Sequence, residues 1–244
     1  MLDLTQKPNP KYFWQRGINF FIVTLLVMIA PIFLGIASVQ KSIWLQLAFV
    51  LIMVTFYVGI GLYAYHLLKA TTPQPIFHKP NIRDWRHIWL IIGSFIVMIV
   101  LEVIIGTLRL NLTGTQTTEN QIAIEQLTAH LNITMIAMII YGVFMAPIVE
   151  EIIFRGLVVN YFFRNSWWWS SIILSGVLFA FPHMGMVPTN LSDALSYLIY
   201  TVMGMTMAFV YKKTGHLQDS IAIHFVNNAV TMLPLLIVAI NKSM

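Results

Sequence analysis

Cysteine is absent from the 244-residue chain, which excludes disulfides, a thiol nucleophile and cysteine-ligated zinc together. Charge is scarce as well. Only 9% of the residues are Asp, Glu, Lys or Arg, against roughly 25% in soluble domains. A surface so poor in charge cannot face water on all sides, and the solvent that tolerates it is a lipid bilayer. Acidic residues are the rarest class, 9 against 14 Lys and Arg. The net charge of +5 still does not describe a nucleic-acid partner, because the basic residues are scattered and their longest run is Lys212-Lys213. Basic loops beside membrane spans account for the excess. Internal repeats, low-complexity tracts and an HExxH motif are also missing.

What is abundant is apolar residues, 58% of the chain. They gather near 18–39, 43–68, 88–106, 133–162, 168–184, 195–211 and 218–240. Each run is long enough, or nearly so, to cross about 30 Å of hydrocarbon as a helix. The runs are continuous rather than alternating, which argues against strands. The fold class is therefore all-α, a polytopic transmembrane helix bundle of about seven spans, or eight with a hidden or re-entrant helix. No small-residue cleavage site follows the first apolar run, so it reads as a span rather than a removed signal peptide. The polar stretch 107–132 reads as a loop with a short surface helix from Glu119. Residues 1–132, three spans plus this loop, and a motif-bearing core at 133–244 then form one membrane domain.

Loop charges predict the orientation. One set of loops holds Lys7, Lys11, Arg16, Lys69, Lys79, Arg83, Arg86, Arg164, Lys212 and Lys213; the other holds Lys41, Arg109 and Lys242. Ten against three places the N-terminus in the cytoplasm. Compact loops without sorting signals suggest a bacterial plasma membrane.

A few polar residues sit where charge is expensive, about 2.5–3.5 kcal/mol at a helix centre. APIVEEIIFRG carries Glu150, Glu151 and Arg155; LFAFPHMGM carries His183; SIAIHFVNNAV carries His224, Asn227 and Asn228. Counting 1.5 Å per residue from the nearest polar turn, Glu150 and His183 lie about 21 and 24 Å deep, and His224 about 16 Å. Three segments thus bring polar groups near mid-membrane. Glu151 and Arg155 have the i,i+4 spacing and order of a helical ion pair. Glu150 points about 100° away around the helix. Pro147 removes a backbone donor and is expected to kink the helix above Glu150, as Pro182 is beside His183. Glu102 either pairs with Arg109 or lines the same cavity.

Plainer roles exist for each group. Glu151–Arg155 can be a structural pair, and His183, His224, Asn227 and Asn228 can be interhelical hydrogen-bonding contacts. Together these roles leave Glu150 without a partner. His66, His78, His87, His130 and His216 fall at span ends or in loops and receive no role.

The three motifs EExxxR (Glu150 to Arg155), FxxxH (Phe179 to His183) and HxxxN (His224 to Asn228), in this order on late membrane helices, resemble the CAAX-protease and bacteriocin-processing (CPBP, or Abi) family. The resemblance spans about 133–230. It implies a glutamate-dependent intramembrane endopeptidase in which Glu150 and His183 activate a water, His224 and Asn228 donate to the oxyanion, and Glu151 and Arg155 orient the site. The residue types suit hydrolysis in their own right. No cofactor is expected; the alternative is zinc at Glu150, His183 and His224. The expected partners are the bilayer and a peptide or membrane-protein substrate, and nothing in the sequence sets an oligomeric state. The resemblance also admits a non-catalytic immunity or scaffold protein, and buried glutamates and histidines also suit a proton-coupled transporter.

Overall fold

A chain in lipid must satisfy its own backbone polar groups, and among the described residues helices do so along each apolar stretch. The computed structural model describes residues 9–72, 75–79, 85–163, 167–184 and 187–243. Lys7, Arg83 and Arg164, used in the orientation count, lie outside these described residues.

The helices are α1 Phe13–Ile29, α2 Ile32–Ser38, α3 Ile43–Thr71, α4 Trp85–Thr113, α5 Glu119–Leu127 and α6 Ile133–Ile140. They continue with α7 Ala146–Glu151, α8 Val158–Phe162, α9 Trp168–Met184, α10 Leu191–Thr214 and α11 Leu217–Ser243. Widened π turns at Tyr141–Met145 and Ile152–Leu157 join α6, α7 and α8 into one continuous helical rod. Among the described residues, six helical units are long and apolar enough to span a membrane, and α9 is a seventh, shorter apolar helix. The all-helical, multi-pass reading holds.

Local chemistry explains several boundaries. Pro31 divides the first span into α1 and α2, as expected where a helix loses a backbone donor. Asn132, Thr118 and Asn190 cap α6, α5 and α10 by accepting from the backbone N–H three residues on, the usual N-cap arrangement. Gly215, at φ 78°, ends α10 in a left-handed turn that side chains with a Cβ rarely adopt.

Three sequence expectations change. Residues 107–113 are helix rather than loop, because α4 runs on to Thr113. Arg109 is therefore a helical residue, and it donates to the carbonyls of Ser192, Thr115 and Thr117. Those bonds tie the end of α4 to the α4–α5 connection and to α10, and they replace the suggested pairing with Glu102. Lys212 likewise is no loop residue. It is buried within α10, donates to Ser171 and lies 4.8 Å from the Trp168 ring.

The rod from Ile133 to Phe162 is the most enclosed of the candidate spans, 67% buried. The α3 helix packs along it, and α9, α10 and α11 complete the wall around its polar face. α9 and α10 cross at paired glycines, where a Cβ on Gly204 would lie 2.7 Å from the Gly176 Cα. Small residues permit such an approach between membrane helices.

Candidate active site

The two π turns flank the glutamate pair and set its geometry. In the first, the Ala146 N–H reaches back to the Tyr141 carbonyl. The Gly142 carbonyl would then look to residue 147, which is proline and has no N–H. Asn228 of α11 fills that role, its side-chain amide donating to Gly142 O at 2.7 Å. The proline is thus absorbed by a widened turn rather than a simple kink. In the second turn the Val158 N–H passes to Ile153 O, and the Ser175 hydroxyl of α9 donates to Phe154 O at 2.7 Å. Each irregular turn is stitched to a neighbouring helix by a side chain, as π-bulges near functional sites often are.

Glu151, at the end of α7, and Arg155, within the second turn, form the expected i,i+4 pair at 3.0 Å, and both are fully buried. Arg155 also donates to Gly204 O at 3.4 Å and lies 4.4 Å from the centre of the Phe179 ring. A buried charge is tolerable only with such a set of partners. Glu151 serves a second helix too, accepting from His224 Nδ1 at 3.0 Å.

Glu150 faces the other way, into a cavity of about 370 Å³. Its Oε2 lies 3.7 Å from His183 Nε2 and 3.9 Å from His224 Nε2. That oxygen makes no hydrogen bond among the described residues. The two imidazoles are oriented alike. His183 Nδ1 lies 2.8 Å from the Phe179 carbonyl, which can only accept, so Nδ1 carries the proton. His224 Nδ1 faces a carboxylate held by arginine, so it too is the donor. In each neutral ring the free lone pair is then on Nε2, aimed toward Glu150. Separations of 3.7 and 3.9 Å exceed a direct hydrogen bond and suit a bridging water.

Glu150, Glu151, Arg155, His183, His224 and Asn228 are therefore neighbours in space, and Asn227 also lines the cavity. Glu102 of α4 reaches it as well, with one carboxylate oxygen buried and unpartnered among the described residues. Two features escaped the sequence reading. Tyr200 of α10 stacks on His183, with ring centroids 4.8 Å apart, and its hydroxyl meets Thr118 Oγ1 at 3.0 Å and Asn120 Nδ2 at 3.2 Å. Through those bonds α5 is held over the cavity, which Asn120, Gln121 and Ile124 help to line. The expected surface helix is thus part of the cavity wall. Neither feature has a local signal, because a lone tyrosine in an apolar helix looks like packing.

A multi-pass helical bundle with a carboxylate, two imidazoles and an arginine-neutralised second carboxylate at its centre defines a class of membrane protein. Residues 132–230 match the family model described as "Type II CAAX prenyl endopeptidase Rce1-like", the same stretch that carries the EExxxR, FxxxH and HxxxN motifs. A curated relative, "Putative membrane peptidase YdiL" of Bacillus subtilis (strain 168), is 29% identical over 142 residues, 58% of this chain and 53% of that protein. The chain thus matches about half the length of that relative. No solved structure matches it.

Proposed function

We propose that the chain is an intramembrane endopeptidase that hydrolyses peptide bonds of membrane-associated proteins or peptides, with the segment 133–244 as its catalytic core. One observation carries the reading: Glu150 Oε2 lies 3.7 and 3.9 Å from two Nε2 atoms whose rings are anchored through Nδ1. A water held by Glu150 and His183 loses its proton to Glu150 as it attacks the scissile carbonyl, and the proton passes to the leaving amine. His224 donates to the oxyanion from Nε2 when its ring carries both protons, with Glu151 accepting from Nδ1. Asn228 contributes the second proton of its amide, the first being committed to Gly142 O. Arg155 keeps the Glu151 charge balanced and so holds His224 in place. In this reading the N-terminus is cytoplasmic, the location is the plasma membrane, and the setting is peptide maturation or bacteriocin immunity.

The second reading is the same hydrolysis assisted by zinc. Glu150, His183 and His224 supply donor types that zinc accepts, although Glu150 Oε2 lies 3.7 and 3.9 Å from the two Nε2 atoms, wider than the ~3.3 Å edge of a tetrahedral zinc site. These residues would hold the ion, which would polarise the carbonyl and lower the pKa of its bound water. The metal-free version comes first because Arg155 is buried beside the two carboxylates and opposes a cation there.

The test compares cells expressing wild type, Glu150→Gln and His183→Ala by mass spectrometry of membrane and secreted peptides, with immunoblots for accumulation. Loss of specific peptide products with normal accumulation supports the enzyme. A scaffold or immunity protein would keep its phenotype in both variants. Purified protein assayed with and without a chelator separates the two mechanisms.

A further inference from the structure

Four residues that the proposed reaction does not use meet at the end of the bundle where α4 and α11 begin. His87 is in the first turn of α4, His216 lies in the turn between α10 and α11, Asp219 is in the first turn of α11, and His78 is in the α3–α4 connection. His87 Nδ1 lies 2.9 Å from Asp219 Oδ2, and His216 Nδ1 lies 3.9 Å from the same oxygen. One donor atom from each of His87, His216 and Asp219 falls within 4.8 Å of the others.

We propose that His87, His216 and Asp219 form a site for a divalent transition metal of the zinc class, outside the Glu150 cavity. Two imidazoles and one carboxylate, with water in the fourth position, are donors that zinc takes readily. Tetrahedral zinc with bonds of about 2.0–2.1 Å sets its ligand atoms ~3.3 Å apart. The 2.9 Å pair is already closer than that, the His216–Asp219 pair is at 3.9 Å, and all three donors lie within 4.8 Å, so binding an ion draws the wider pairs in.

The surroundings hold the donors in place before any ion arrives. Gly215, in its left-handed conformation, turns the chain so that His216 comes back toward α11, and the His216 N–H bonds to Thr214 Oγ1 at 3.1 Å. The Gln218 side chain grips the His78 backbone at two points, accepting from its N–H at 2.9 Å and donating to its carbonyl at 2.7 Å. That clamp lays the His78 ring on His216, with centroids 4.1 Å apart and planes within 16°. The His87 ring meets His216 edge-on at 4.8 Å. Preorganisation of this kind lowers the ordering cost of binding. The side chains of His87, His216 and Asp219 are 26%, 17% and 11% exposed, so the site is sheltered yet open to an aqueous ion. It joins the first turns of α4 and α11, and α11 carries His224 and Asn228 further along. A bound ion is thus a clasp on the helix that brings His224 and Asn228 to the polar cavity. This inference does not depend on the chain being a peptidase.

The test uses the full chain, free of any histidine tag, purified in detergent, stripped with chelator and freed of it by gel filtration. Zinc chloride is titrated by calorimetry and against a chromophoric zinc indicator, with thermal unfolding followed in parallel. Wild type is expected to bind one equivalent at about micromolar Kd or tighter and to unfold at a higher temperature when loaded. His87→Ala and His216→Ala should each weaken binding by about 100-fold. Asp219→Asn keeps an acceptor for His87, so it preserves the fold while lowering zinc affinity. The double variant His183→Ala/His224→Ala should keep the equivalent. The proposal is overturned if folded wild type binds no zinc saturably. It is equally overturned if the equivalent survives loss of His87 and His216, or disappears with His183 and His224, which would put the ion in the Glu150 cavity.

Discussion

The side chain of Asn228 donates to the carbonyl of Gly142 at 2.7 Å, the carbonyl that Pro147, five residues on, cannot serve. An asparagine on α11 thereby completes the backbone of the rod that carries Glu150. Removing it orphans a buried acceptor, which costs about 1–3 kcal/mol. Asn228→Ala should lower the stability of the detergent-solubilised protein by that amount. Adding Pro147→Ala returns a backbone N–H in reach of the widened turn, so the double variant should lose less than the two single changes combined. Chemical unfolding of all four proteins measures the coupling. Strict additivity would contradict the pairing.

Arg155 offsets a carboxylate that no water reaches, since both members of the Glu151–Arg155 pair are fully buried. Arg155→Ala leaves that charge uncompensated and should destabilise the protein by roughly 3–5 kcal/mol. Arg155→Met combined with Glu151→Leu should recover much of the loss, because apolar replacement of a whole buried pair is often tolerated. Arg155→Lys retains charge but lacks the planar fork that reaches Gly204 O while lying against Phe179, so it should fall between the two. Unfolding curves rank the three. A stable Arg155→Ala protein would remove the pair from the architecture.

Two glycines on the rod and its neighbours should respond differently to one added methyl. At Gly176 a Cβ would lie 2.5 Å from the Thr201 backbone oxygen, whereas at Gly142 it meets the Sδ and Cε of Met232 at 2.5 and 2.7 Å. Backbone cannot yield, but the end of a methionine side chain can. Gly176→Ala should therefore be poorly accumulated in membranes and Gly142→Ala well accumulated. Immunoblots with a fluorescent size-exclusion trace decide between them.

Tyr200 joins α5 to the imidazole of His183, by its hydroxyl on one side and its ring on the other. Tyr200→Phe should free α5 while leaving the stacked ring in place. For the peptidase proposed above we expect a several-fold rise in KM with kcat little changed, together with faster proteolytic nicking between residues 114 and 132. Tyr200→Ala also removes the ring and should lower kcat as well. Equal effects of the two substitutions would show that the hydroxyl bonds do not matter.

The amino-acid sequence by itself determined the solvent of this protein, its helical class and the six polar residues at its centre. The reason is energetic: in lipid a chain must close its own backbone hydrogen bonds, and an ionisable group deep in an apolar run is costly enough to mark a candidate site. The i,i+4 pair of Glu151 and Arg155 was legible for the further reason that a helix brings such residues together within a single segment. Packing alone decided the rest. The seat of Asn228 on Gly142, the placing of α5 over the cavity through Tyr200, the separation of Glu102 from Arg109 and the meeting of His87, His216 and Asp219 all join residues far apart in the chain. No periodicity records which faces of separate helices will touch. That choice rests on paired glycines, widened turns and caps acting together in three dimensions.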